Sequence, residues 1–384
     1  MPDKKRILIF PFNLLSHYLR CLVFAERFYD SDAYDIHFAA SDVYDHYVQR
    51  AGYKSFPCEQ FDAERVMEDS RRFDFAWLND ADINRVFNSQ LECIRDLQPE
   101  QVIGDMAPTL RMAAELTGVR YISLQNGYMT PYCVGCRSLP TKHPAYGYFH
   151  RLPKNLLDRL TAYGETLAFK RIHKPFGRIR QRNKLKQFDS YLDEMQGDEN
   201  LICDLPELFP QKNLPANFRF IAPLIYREST SENTWLGEVD RSRPVIVVSM
   251  GSTGQWERLQ FLNSDIYSAF TIITAGDKSA VLDASHIIAR PFVDMAEVLA
   301  ISDLMICHGG NGTIYHGLQA SVFMLCLTSH FEQEWNVKAL ERLGYGKSAD
   351  MFDADDWQEE ITRMARQSFK PYSPQHSMNQ LLSH

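Results

Sequence analysis

Short apolar runs alternating with stretches of helical spacing constrain this chain more than any other feature. That alternation is the mark of βα units feeding a parallel sheet. In the first half the expected strands are 7–10, 35–39, 53–56, 101–103 and 120–124. Residues 82–97 set Ile83, Val86, Phe87, Leu91 and Ile94 on one helical face. A helix over 109–117 is expected to stop at Gly118. The alternation restarts at 244–250, 270–274, 286–290, 304–307 and 322–327, runs apolar enough to be buried on both faces. Between the halves, 129–187 is aromatic, then basic, and poor in strands, while 227–243 is polar and suits an interdomain linker. The fold class expected is α/β, with two Rossmann-like, doubly wound parallel-sheet domains facing each other across a cleft. The expected division is an N-terminal domain 1–228, a linker 229–243, a C-terminal domain 244–368, and a tail 369–384 packing back on the N-terminal domain. With no short-period repeat, solenoids and propellers are excluded.

The net charge of −8 gives nucleic acid no reason to bind, and 45% hydrophobic with 23% charged residues is a globular composition. Lys4, Lys5 and Arg6 precede the apolar 7–10, but Pro11 and Asn13 interrupt that run and His17 and Arg20 follow. No stretch approaches the roughly 18 apolar residues of a membrane span. A first β-strand and a cytoplasmic protein are expected. Eight scattered cysteines fit reduced thiols better than a disulfide framework. Cys133 and Cys136 form a CxxC pair without a second pair at ligand spacing, so no metal site is expected. Eight lysines and arginines crowd 170–186. The plain reading is a solvated helix face; the sharper one is a peripheral membrane contact or a surface for an anionic acceptor.

The strongest local signal is 304–313, Leu-Met-Ile-Cys-His-Gly-Gly-Asn-Gly-Thr. A buried strand ends, glycines turn the chain, and a helix begins, which aims backbone N–H groups and the positive helix end at an anion. Asn311 and Thr313 add donors, and His308 adds a proton or a positive charge. The residues alone leave two readings, a diphosphate site and a tight βα turn. A second glycine loop, Ser249-Met250-Gly251-Ser252-Thr253-Gly254, lacks both the dinucleotide and the P-loop spacings. It is placed to line the other side of the same pocket.

Residues 291–346 resemble the nucleotide-binding signature of the family 1, GT-B-fold glycosyltransferases, the UDP-glycosyltransferase superfamily. Phe292-Val293-Asp294-Met295-Ala296-Glu297-Val298-Leu299, Asp303, His308 to Thr313, Phe331-Glu332-Gln333-Glu334-Trp335-Asn336 and Gly344-Tyr345-Gly346 carry the likeness in order. In the first half, His17 stands where the family's "GHxxP" places its histidine, and Asp105 directly follows the fourth strand. Arg243 to Ser252 resembles the family's strand-to-"SxGS" opening. The likeness is weakest over 129–201.

The resemblance implies a metal-independent, cofactor-free, inverting transfer of a sugar from a UDP- or dTDP-sugar to a hydroxyl of a small, hydrophobic acceptor. His17 would take the acceptor proton, with Asp105 orienting it. Ser252, Thr253, His308, Gly310, Asn311, Gly312 and Thr313 would hold the diphosphate. Phe292, Val293 and Met295 would meet the base, and Glu332 and Gln333 the sugar. His316 occupies the ribose position that many relatives fill with glutamate, and Met295 the position of a base-reading glutamine. The absence of that glutamate bends the likeness toward bacterial antibiotic and natural-product enzymes, and both departures leave the nucleotide and the sugar open. A monomer or homodimer is expected. The alternatives are a nucleotide-sugar epimerase or hydrolase of the same fold, and a non-catalytic nucleotide-sugar-binding partner protein.

Overall fold

The computed structural model describes residues 4–135, 137–227, 234–251, 254–276 and 279–373. The chain divides into two compact units, one containing Met1–Leu139 and His143–Tyr226, the other Arg227–Gln375 with the short segment Pro140–Lys142.

The first unit is built on seven parallel strands: β1 (Lys5–Pro11), β2 (Tyr34–Ala39), β3 (Lys54–Phe56), β4 (Gln101–Asp105), β5 (Arg120–Gln125), β6 (Glu199–Ile202) and β7 (Phe218–Phe220). Their order across the sheet is β3-β2-β1-β4-β5-β6-β7. Successive residues of β1 enter different cores: Leu8 and Phe10 pack with Phe87 and Leu110, Ile7 and Ile9 with Tyr18 and Phe38. A strand covered on both sides has no polar face, which is why its run reads as continuously apolar. The helix Asp80–Leu97 begins at Asn79, whose side chain accepts from the Asp82 N–H. The helix Leu110–Thr117 ends at Gly118 with φ +70°, the left-handed step expected there.

The second unit repeats the plan with six parallel strands: β8 (Val245–Ser249), β9 (Thr271–Ala275), β10 (Ile287–Arg290), β11 (Leu304–Cys307), β12 (Phe323–Cys326) and β13 (Gly346–Ser348), in the order β10-β9-β8-β11-β12-β13. Pro140–Lys142 belongs here because the buried Glu334 carboxylate accepts from the Thr141 N–H at 2.6 Å and its hydroxyl at 2.9 Å. Part of the expected linker, 229–233, lies outside the described residues. Of the expected tail, 374–384 also lies outside them. Its described part packs on the second unit, where Phe369 stacks on Phe323 with ring centres 4.9 Å apart and the Tyr372 N–H donates to Ser321 Oγ at 2.7 Å.

The strand-poor middle holds one long helix, Lys154–Arg182. Among the described residues no helix is long and apolar enough to cross a membrane. Six cysteines are free thiols, but Cys133 is disulfide-bonded, a departure from the all-reduced expectation; Cys136 lies outside the described residues.

Candidate functional site

In an open parallel sheet the strand order reverses at one point, and the loops leaving the two strands there diverge to form a crevice. In the first unit that point lies between β1 and β4, paired from Ile7↔Gln101 to Pro11↔Asp105. The chain leaves β1 through Phe12–Leu14 and enters the helix Leu15–Phe28, with His17 in its first turn. Asp105 ends β4. Two residues 88 positions apart thus meet: His17 Nδ1 lies 2.9 Å from Asp105 Oδ1. Asp105 accepts from Nδ1–H, so Nε2 keeps its lone pair. Phe12 presses edge-on against the imidazole, ring centres 5.8 Å apart.

A third residue completes this cluster and escaped the sequence reading. Arg20, where the "GHxxP" pattern has proline, reaches the same carboxylate, its Nε donating to Oδ2 at 2.7 Å and its other arm bonding Oδ1. It also bonds the Asn126 side chain. Asp105 is completely buried. Burial alone would raise its pKa, but the Arg20 and His17 charges and their hydrogen bonds outweigh it and hold it at about 2. The only early signal was the i, i+3 spacing of His17 and Arg20, which puts both on one helix face. Beside the cluster, a small cavity of about 20 Å³ is lined largely by apolar groups, among them Phe10, Phe12, Phe61, Val86, Met106 and Pro108. Its walls include the loops on either side of His17 and Asp105.

In the second unit the reversal falls between β8 and β11, with Ser249 opposite Cys307. The two glycine loops leave the sheet here and converge on His308. A Cβ on Gly251 would stand 2.7 Å from the His308 ring, and one on Gly310 would overlap its Nε2. Gly251 has φ +55° and Gly309 φ +76°, conformations suited to glycine. Asn336 Nδ2 donates to the Gly309 carbonyl at 2.9 Å, pinning the turn from the helix Phe331–Leu343. Gly310 caps the helix Asn311–Ala320, which puts Asn311, Gly312 and Thr313 in its first turn.

Burial pushes the His308 imidazole down to about 4, against an opposing hydrogen bond with the Ser249 backbone. At neutral pH the ring is therefore uncharged, and the positive charge expected of it is not supplied. Its Nδ1 is buried without a hydrogen-bond partner among the described residues. Ser252 and Thr253 lie outside those residues.

The remaining candidates fall around the same edge. Phe292 follows β10 with 47% of its surface exposed, beside buried Val293. Met295 opens a short helix capped by Asp294, which accepts from the Ala296 and Glu297 N–H groups. His316 lies on the Asn311–Ala320 helix; burial holds its pKa at about 4, with Asp294 opposing. Glu332 and Gln333 open the helix Phe331–Leu343, but Gln333 is buried and its Oε1 already accepts from the Ser329 N–H at 2.7 Å and hydroxyl at 3.0 Å.

The family model for the glycosyltransferase family 28 C-terminal domain matches residues 247–381. A PGL/p-HBAD biosynthesis glycosyltransferase of Mycobacterium tuberculosis is 28% identical over 340 residues, 86% of this chain and 77% of that protein. A PGL/p-HBAD biosynthesis rhamnosyltransferase of Mycobacterium bovis is 26% identical over 86% of this chain and 74% of its own length. Among solved structures, the calicheamicin glycosyltransferase CalG4 superposes with a TM-score of 0.67 at 15% identity, covering 99% of this chain and 94% of that one. The spinosyn rhamnosyltransferase SpnG, complexed with thymidine diphosphate, also reaches 0.67 at 15% identity, over 94% and 91%. Sequence relatives along most of the chain and a shared two-sheet architecture lead to one assignment: the chain is a glycosyltransferase with the GT-B fold.

Proposed function

We propose that the enzyme moves a sugar from a UDP- or dTDP-sugar to a hydroxyl of a hydrophobic acceptor, with inversion and without a metal or other cofactor. The observation that carries this reading is the His17–Asp105 pair, 2.9 Å apart at the switch point of the first sheet. An acceptor hydroxyl is a weak nucleophile, and the free Nε2 of His17 takes its proton as the new bond to the anomeric carbon forms. Asp105 fixes the ring tautomer and balances the imidazolium. The apolar lining at Phe10, Phe61 and Met106 gives a hydrophobic acceptor a surface of its own kind beside this pair.

The departing diphosphate gains negative charge, which the first-turn N–H groups at 311–313 and the neutral His308 offset by donating hydrogen bonds. Ser252 and Thr253 are assigned to the same diphosphate on the sequence resemblance alone. Phe292 stacks on the base, with Val293 and Met295 beside it, and Glu332 meets the sugar; His316 faces the ribose. Gln333, beside Glu332 at the start of the same helix, is the second sugar residue.

The test is calorimetric titration of the wild type and Thr313→Ala with UDP, dTDP and GDP, with magnesium and with EDTA. Metal-independent binding of one diphosphate, weakened by the substitution, supports the donor site and identifies the nucleotide. Binding of none, or binding only with magnesium, overturns it. The anomeric configuration of the product, read by NMR coupling constants, tests inversion.

A further inference from the structure

The helix Lys154–Arg182 has an inner and an outer face. Phe169, Ile172, Phe176 and Ile179 pack inward on the core of the first unit. At 100° per residue, Leu156, Leu160, Tyr163 and Leu167 fall within about 60° of one another on the opposite side. They are 46%, 43%, 66% and 51% exposed. A surface helix ordinarily turns its polar residues outward. Four large apolar side chains in a row on the solvent side mark a contact surface rather than scattered exposure.

Charge identifies what that surface meets. Lys170, Arg171 and Lys174 continue the same outer face and are exposed, as is Arg159 at its flank. The two acids of the helix are withdrawn from that row: Asp158 is paired with Lys154 at 2.7 Å, and Glu165 with Arg137 at 3.0 Å. The chain as a whole carries −8, so this cationic row runs against the background charge. Apolar residues flanked by lysine and arginine on one helix face suit the boundary between acyl chains and anionic headgroups. Leucine side chains enter the boundary, a tyrosine sits at headgroup level, and the long cationic side chains reach lipid phosphates.

We propose that the outer face of Lys154–Arg182 docks the enzyme on an anionic lipid bilayer, with Leu156, Leu160, Tyr163 and Leu167 inserted and Lys170, Arg171 and Lys174 on the headgroups. This relocates the basic surface expected over 170–186. Further along the run Arg178 is tied to Asp80 and the buried Arg180 to Glu194 and Glu115, which leaves Lys170, Arg171 and Lys174 as the cations next to the apolar row. The docking is independent of the donor chemistry proposed above.

Co-sedimentation with extruded vesicles tests it, using pure phosphatidylcholine and an equal mixture with phosphatidylglycerol, with no donor or acceptor present. The wild type is expected to sediment with the mixed vesicles and to stay in solution with phosphatidylcholine alone. Two variants remove one half of the surface each: Leu160→Glu with Tyr163→Glu and Leu167→Glu, and Lys170→Gln with Arg171→Gln and Lys174→Gln. Each should lower the partition by roughly a hundredfold. Unchanged melting temperature and diphosphate binding show that the variants stay folded. Three results overturn the proposal: wild type that ignores anionic vesicles, equal binding to both compositions, or a glutamate variant that binds as the wild type does. A dimer in vesicle-free buffer that the glutamate variant splits would assign the face to self-association and overturn it as well.

Discussion

At the scale of single residues, the proposed chemistry turns on one buried carboxylate that His17 and Arg20 both reach. His17→Ala should reduce transfer by at least about a hundredfold, the usual weight of a general base, while diphosphate affinity stays within error. Equal loss of both would remove His17 from the role of base. Arg20 acts through Asp105. Its loss leaves a buried carboxylate with His17 and the weakly donating Cys21 thiol as its side-chain partners, a change that costs about 3–5 kcal/mol. Arg20→Met should therefore lower both the melting temperature and kcat, and Arg20→Lys should recover stability better than rate, because a point charge cannot span both oxygens. The acid limb follows from the same pair. The Asp105 pKa is depressed in the folded state, so its contribution, on the order of 2 kcal/mol, is complete above the unfolded value near 4 and is lost as pH falls toward 2. Asp105→Asn should flatten the acid-unfolding profile in that window. His17 and Asp105 were legible because a family spacing marks them. Arg20 was not: an arginine on a helix reads as a surface charge until the tertiary fold brings β4 beneath it.

At the scale of elements, glycine placement separates packing from binding. Gly310 is crowded: a methyl there collides with the His308 ring. Gly312 has nothing within 4 Å of where a Cβ would stand. Gly310→Ala should therefore destabilise the fold and weaken diphosphate binding together. Gly312→Ala, in the first turn of a helix, should stabilise by about 0.5–1 kcal/mol and yet weaken UDP or dTDP binding about tenfold, since its backbone is placed to approach the phosphates. Thermal melts and titration of the two variants read both effects. An unchanged affinity in Gly312→Ala would mean that the loop is only a turn. The strands that frame these loops, β1, β4, β8 and β11, were readable as continuous apolar runs because both their faces are buried. β2, β3, β5, β9, β10 and β12 were expected too, but three strands at the sheet margins were not. β6 begins Glu-Asn, β7 is Phe-Arg-Phe, and β13 is Gly-Lys-Ser. Such short, partly polar segments become strands only because a neighbouring strand offers hydrogen bonds.

At the scale of the whole molecule, the division into two units can be examined through stability. The buried cores are built separately: Leu8, Phe87 and Trp77 belong to one, Ile246, Trp256 and Trp357 to the other. Calorimetry should resolve two unfolding transitions. The described diphosphate candidates, His308 and Gly310 to Thr313, all lie in the second unit. A ligand that binds only the native form of one unit stabilises that unit by mass action, about 2.7 kcal/mol at a hundredfold excess over its Kd. For a unit of this size that amounts to a rise of about 5–10 °C. UDP or dTDP should therefore move one transition and leave the other in place, and the unmoved one should be the transition that Arg20→Met lowers. The two perturbations label the transitions independently, one by ligand and one by substitution. If the diphosphate raised both transitions equally, the units would unfold as a single cooperative body, and the assignment of one transition to each core would fall.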